Sequence, residues 1–235
     1  MAAACHAIAA RRRVSPALEQ ASAGDTPAAT VKANKNRTAR VRAFTILELL
    51  IVTSIILVLA GLILGTSGYV QKKGARSRAE AEIAGMSAAL DNYKTDNGQY
   101  PTSSASDALL PTNADPSSTA YRNASLFLYK ALSGDHDANR KVTSADSAIG
   151  PDGNPVSPAP TGLPKTYFPF KPQMLTLPST DPVRSLRDPF GNSYGYSTTK
   201  ASNPTGTTGY NPTFDLWCTA NAKPANDQNQ WIKNW

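Results

Sequence analysis

Few residues in this 235-residue chain are placed to do chemistry, and most of those are acids. Glu48 is the only charge in an apolar run from Phe44 to Leu64, FTILELLIVTSIILVLAGLIL. A carboxylate at the centre of a bilayer costs about 2.5–3.5 kcal/mol, less near the interface, so such a group should have a partner and a function. A second grouping is Asp135-His136-Asp137-Ala138-Asn139, followed by Asp146. Asp135, Asp137 and Asn139 offer oxygens at alternate positions and Asp146 falls at the twelfth, which is the start and end of a calcium loop. Arg140 stands where such loops need Gly, and Lys141 adds a further positive charge, so a solvated loop competes with the calcium reading. The two histidines are His6 and His136. His136, alone in polar sequence, has no convergent partners and reads as a solvated side chain. The chain has no phosphate-cradling glycine loop and no metallohydrolase motif, so catalysis is not expected.

The apolar run dictates how these residues must be carried. As a helix it spans roughly 31 Å, enough to cross the hydrocarbon core of a bilayer. A cleaved secretory signal has a shorter apolar core, about 7–15 residues. A plain signal anchor fits the length but gives Glu48 no purpose. Residues 1–43 form a basic leader, with eight Lys or Arg against Glu19 and Asp25, and hold nearly all of the +7 net charge. The basic balance therefore describes the leader, and nucleic-acid binding, which needs a basic patch on the folded part, is not expected. Arg37, Arg40 and Arg42 precede the run, while Lys72, Lys73, Arg76 and Arg78 follow it, so charge alone orients it weakly. The leader is assigned to the cytoplasm because the long remainder reads as a folded extracytoplasmic domain. Cys5 and Cys218 would then lie in different compartments and could not pair. Cys218 reads as a semi-buried strand residue.

Beyond the run, residues 66–98 continue as an amphipathic helix. Ala79, Ile83, Met86, Leu90 and Tyr93 recur at helical spacing, a face for packing on a sheet, with charges on the other faces. Asp96-Asn97-Gly98 stops it, with Pro101 just beyond. Residues 99–187 form a loop-rich region. Within it, 102–120 reads as loop, Ala120–Leu132 as a short helix closed by Ser133-Gly134, and 134–166 as a long polar surface excursion. Strand signals lie at Tyr167–Phe170, Asn192–Thr198 and Thr213–Thr219, the last two in the C-terminal sheet region 188–235.

The run Arg42-Ala43-Phe44-Thr45-Ile46-Leu47-Glu48-Leu49-Leu50 resembles the cleavage and methylation motif of type IV prepilins and type II secretion pseudopilins. The resemblance implies a cut between Ala43 and Phe44 by prepilin peptidase, methylation of the new Phe44 amine, and an assembly role for Glu48. Ala43 replaces the family's usual Gly, and Gly65, with Gly61 and Gly68 nearby, stands where many members have Pro. Leu90 to Pro101 (LDNYKTDNGQYP) resembles the helix end of the major type II pseudopilin. Asp188-Pro189-Phe190-Gly191-Asn192-Ser193-Tyr194-Gly195-Tyr196 resembles that family's turn into a strand, and Trp231-Ile232-Lys233-Asn234-Trp235 its C-terminus. The resemblance covers about 42–101 and 188–235. It also implies a calcium site in the loop before the C-terminus, where this chain keeps Asp227, with Asp215 upstream. Calcium takes six to eight oxygens, so carbonyls would have to supply most of them.

The resemblance thus implies an α+β pilin-like fold, a long N-terminal helix with its outer half on a small antiparallel sheet. It implies a single-pass inner-membrane protein with a periplasmic domain. Its partners would be further copies of itself, minor pseudopilins, prepilin peptidase and the inner-membrane assembly platform. The expected function is a non-enzymatic subunit of a secretion pseudopilus. A surface type IV pilin for adhesion, motility or DNA uptake is the alternative within the class. A signal-anchored binding or enzymatic domain is the alternative outside it.

Overall fold

A computed structural model describes residues 44–176 and 181–235. The chain divides into two units, residues 1–50 and 51–235. Helix α1 runs without interruption from Ile46 to Asn97. Leu and Ile dominate its first turns, alanines recur in its second half, and proline is absent throughout, so local propensity agrees with its length. It ends at Gly98, whose φ of 78° is the left-handed stop expected there, and whose N–H caps the Lys94 carbonyl at 2.7 Å.

Within the second unit α1 changes character along its length. From Ile51 to Leu64 every side chain is exposed, and the large apolar residues through Val70 are half to three-quarters bare. From Ala79 onward the anticipated stripe is buried: Ala79, Ile83, Met86, Ala89 and Leu90, with Tyr93 half-buried. These residues share one core with Phe127, Leu128 and Leu132 of helix α3 (Thr119–Ser133) and with the sheet. Helix α3 starts one residue earlier than the sequence suggests and closes at Gly134 in the left-handed conformation. Between them a five-residue helix α2, Ser104–Ala108, lies in a stretch that reads as loop, started by a reciprocal cap between Ser103 and Ser106.

The sheet has three short antiparallel strands in the order β1 (Gly195–Ser197), β2 (Asp215–Cys218), β3 (Ile232–Lys233). Gly195 faces Trp217, Tyr196 faces Leu216, and Cys218 faces Ile232. The side chains of β2 alternate as a strand must. Leu216 and Cys218 enter the core shared with α1 and α3. Trp217 enters a second cluster with Leu109, Tyr121, Ala124, Ala222 and Trp231. Both faces are therefore covered, and every β2 residue is buried. Cys218 is fully buried rather than half-buried. Gly195 is required by this arrangement, because a Cβ there would lie 2.2 Å from Trp217 Cε2.

Tyr167–Phe170 is not a strand, contrary to its aromatic content. Pro164, Pro169 and Pro172 deny the segment a regular ladder of N–H donors. It serves as an aromatic brace instead. The N–H groups of Tyr167 and Phe168 both meet the Leu132 carbonyl. Tyr167 packs 5.1 Å from Tyr93, and Phe170 packs 5.3 Å from Tyr129.

Candidate functional site

The residues singled out by the sequence fall at the head of α1, in the acidic loop after α3 and in the C-terminal loop. At the head of α1, Thr45 precedes the first turn and Glu48 is its third residue, so the two make the reciprocal bonds of a capping box. Thr45 N–H donates to Glu48 Oε2 at 3.4 Å, and Glu48 N–H donates to Thr45 Oγ1 at 3.2 Å. The Thr45 hydroxyl also approaches Glu48 Oε2, at 3.5 Å. The carboxylate thus sits at the positive end of the helix, where an anion is favoured. The bonds it accepts are long and the group is exposed, so a closer cationic donor could still be accommodated. The Thr-x-x-Glu spacing was readable as a cap; the isolation of the charge drew the reading elsewhere. Phe44 is 81% exposed, and Ala43 lies outside the described residues.

The acidic loop is solvated only in part, with Asp137 and Asn139 exposed. Asp135 and Asp146 are each 1% exposed, and together with Asp137 they bring one oxygen apiece within 4.8 Å of one another. Arg140 takes φ of 73°, the left-handed conformation reserved for Gly in a calcium loop, and its side chain is anchored on the Asp181 and Thr176 carbonyls. The loop's own donors already occupy the carboxylates. Asp146 accepts the N–H groups of His136 and Asp137 on one oxygen, and the N–H and hydroxyl of Thr143 on the other. Asp135 accepts from Asn139 N–H, Arg140 N–H and the Tyr129 hydroxyl. All four acceptor positions of Asp146 are filled, so a cation needing six oxygens would have to displace backbone donors. Burial pushes the Asp135 carboxyl up from the usual range. For Asp146 burial pushes the same way, but the donors from Thr143, Asp137 and His136 outweigh it and hold the carboxyl down. His136 is half-buried rather than solvated, with Nδ1 2.8 Å from the Asp146 carbonyl and close to that of Ile149, so Nδ1 carries the proton.

In the C-terminal loop, Asp227 takes Gln230 Nε2 at 2.7 Å and Asn229 N–H at 3.2 Å, and those bonds lower its pKa. Asp215 is buried on β2, raised by burial, and accepts the N–H groups of Tyr210 and Asn211. Among the described residues, neither belongs to a converging group of three acids. Sequence reasoning missed the pairing of Asp188 and Cys218. Asp188 caps its own turn through Phe190 and Asn192 N–H, and the Cys218 thiol donates to its other oxygen at 2.9 Å. Burial raises both groups, so the thiol stays protonated. The Asp-Pro-Phe-Gly-Asn turn was visible in the sequence; nothing in it pointed to the thiol.

A long helix, bare along its first turns and packed on a three-stranded antiparallel sheet along its last, defines a pilin-like α+β protein. One helix among the described residues is long and apolar enough to cross a membrane. Residues 69–136 match the family model described as Type II secretion system (T2SS), protein G. The chain is 40% identical over 63 residues to the type II secretion system core protein G of Pectobacterium carotovorum, covering 27% of this chain and 40% of that protein. It is 41% identical over 61 residues to the core protein G of Escherichia coli K12, covering 26% and 42%. It is 37% identical over 87 residues to that of Aeromonas hydrophila, covering 36% and 60%. The chain thus spans about 40% to 60% of the length of these relatives. No solved structure matches. Over residues 69–136 the chain is similar to type II secretion protein G. The matched span includes 102–136, which the motif resemblance had not reached.

Proposed function

We propose that the chain is a structural subunit of a type II secretion pseudopilus, a major pseudopilin that works by assembly and not by turnover. Prepilin peptidase cuts between Ala43 and Phe44, and the new Phe44 amine is methylated. The subunit waits in the inner membrane, spanned by the run from Phe44 to Leu64, with the domain that follows it on the periplasmic side. Copies of itself, minor pseudopilins and the assembly platform then draw it into a filament that pushes cargo outward.

The observation that carries this reading is the bare apolar stretch of α1 with an acid at its head. Well over a dozen large apolar side chains between Phe44 and Val70 are exposed. Each is worth about 1.5–3 kcal/mol when fully buried, so water is not their working solvent. A bilayer covers them before assembly, and neighbouring copies cover them after it. Cleavage would leave an ammonium on Phe44, and in an apolar setting neither that charge nor Glu48 can stay unpaired cheaply. Pairing the amine of one subunit with Glu48 of the next satisfies both and sets the axial register. The capping bonds to Thr45 are long enough for that donor to replace them.

Sequencing the mature N-terminus tests the processing step: Phe44 first supports it, and retained residues upstream refute it. Glu48→Ala should insert normally but not assemble. Thr45→Ala, which removes the cap alone, should still assemble. Equal loss in both variants would assign Glu48 to helix capping and refute the pairing.

A further inference from the structure

The membrane-proximal end of the second unit carries a cavity of about 440 Å³, lined by Lys72 and Arg76 of α1, Phe190 of the Asp188 turn, and Asn221, Lys223 and Gln230 of the C-terminal loop. That volume is in the range of small-ligand sites. Three of these side chains are cationic and none is acidic. Arg76 is spoken for in part, with Glu80 at 3.2 Å and the Gln230 carbonyl at 2.8 Å. Lys72 and Lys223 are exposed and have no ion-pair partner among the described residues. Asp227, the acid of the same loop, is engaged by Asn229 and Gln230.

The loop that presents Lys223 is built, not loose. Ala220 and Asn221 hold left-handed backbones with φ of 51° and 53°. Asn192 donates to Asn221 Oδ1 at 2.7 Å, and Gln230 Nε2 donates to the Lys223 carbonyl at 3.1 Å. The position of the cavity along the helix sets its chemistry. The apolar run ends at Leu64, Tyr69 and Val70 are still exposed, and Lys72 comes next. Tyrosine at the end of an apolar span marks the interface with water. Lys72 lies about 12 Å along the axis beyond Leu64, and helical side chains lean toward the N-terminus, here the membrane side. A lysine stem reaches back along such a surface while its ammonium stays at headgroup level.

We infer that this cavity binds the phosphate headgroup of an anionic phospholipid in the membrane leaflet next to the folded domain, with Lys72 and Lys223 as its main charges. The inference rests on α1 being embedded in a membrane. The C-terminal loop is thereby tied to the bilayer surface, which fixes the tilt of the sheet domain before assembly.

The full chain should be placed in nanodiscs of phosphatidylcholine alone and of phosphatidylcholine with phosphatidylglycerol, and hydrogen exchange followed at the amides of residues 220–230. Exchange should slow with phosphatidylglycerol, and the protection should fall by about fivefold for each lysine removed in Lys72→Gln and Lys223→Gln. Vesicle flotation is the companion measurement. A chain that floats but exchanges equally in both lipids overturns the inference and leaves the anchor intact. Equal slowing by inorganic phosphate in phosphatidylcholine discs also overturns it, because the ligand would then be free phosphate. A chain that does not float removes the anchor and this inference with it.

Discussion

Replacing Gly195 by Ala adds a single methyl group at the most crowded point of the sheet. The new Cβ would stand 2.2 Å from Trp217 Cε2, 2.4 Å from Cζ2 and 2.6 Å from Cδ2, so the indole must withdraw by more than 1 Å to reach ordinary contact. It has nowhere to go. Its N–H is bound to the Tyr121 hydroxyl, the Tyr121 ring lies edge-on at 5.6 Å, Trp231 is parallel at 6.5 Å, and Trp235 closes the third side at 5.8 Å. Overpacking of this kind costs about 1–3 kcal/mol. Against it stands roughly 0.5–1 kcal/mol gained by removing a glycine from a strand. The net expectation is a loss of about 1–2 kcal/mol, which lowers the urea midpoint by roughly 0.5–1 M for an m value near 2 kcal/mol/M. Tryptophan emission is the suitable assay, because all three tryptophans, Trp217, Trp231 and Trp235, belong to this one cluster. In a Trp217→Leu background the same Gly195→Ala change should cost almost nothing, a coupling that a double-mutant cycle measures. An unchanged midpoint in the Trp217 protein, or an equal loss in both backgrounds, would refute the steric account.

Other expectations concern separate links in the fold. Tyr194→Phe removes the hydroxyl that donates to Glu82 Oε2 at 2.6 Å, a bond tying the sheet region to α1, and should cost about 1–2 kcal/mol in urea unfolding. Asp146→Asn, which cannot accept from all four of its donors, should lose about 1–3 kcal/mol whether or not a calcium chelator is present. A loss seen only in calcium would show that an ion holds the loop. Cys218 should resist thiol reagents in the native state and react on unfolding. Its folded pKa is raised by burial and by Asp188, so its contribution is fully present below the ordinary thiol range. Stability should therefore fall as pH rises past about 8.5–9, by up to roughly 1.4 kcal/mol per pH unit. Cys218→Ala should show a shallower fall between about pH 8.5 and 9.5, where the tyrosines of the unfolded chain are still mostly protonated; identical slopes would refute the assignment.

The helical half of this molecule was open to reading because local rules decide it. The stripe Ala79–Leu90 keeps helical spacing, and Gly98 and Gly134 stop their helices in the left-handed conformation. The sheet was harder, for physical reasons that differ by strand. In β2 alternation of polarity disappears because Leu216 and Cys218 feed one core and Trp217 another. Strand β3 has two residues, too few for any periodicity. Tyr167–Phe170 has strand-like composition, but its prolines give it the backbone of a brace. At the acidic loop Asp135, Asp137 and Asp146 have the spacing of calcium-loop ligands, and one oxygen from each lies within 4.8 Å of the others. That spacing did not foretell that the loop's own N–H groups would fill their oxygens, since those donors are set by the backbone path. Glu48 was conspicuous for its charge, and its bond to Thr45 was overlooked because a capping box in an apolar run looks like two unrelated facts.

The middle of α1 has one mechanical consequence. Gly61, Gly68 and Gly74 have open space where a side chain would begin, so no other element packs against the helix at these three points. Each glycine weakens a helix by about 1 kcal/mol relative to alanine. Between Ile51 and Val70 the large apolar side chains of the rod are bare, whereas from Arg76 onward it is tied to the C-terminal loop and then bolted to α3 and the sheet. Under axial load the unbuttressed turns would stretch or unwind first and behave as a spring in series with a stiff block. Alanine at all three positions would stiffen that spring without touching either end.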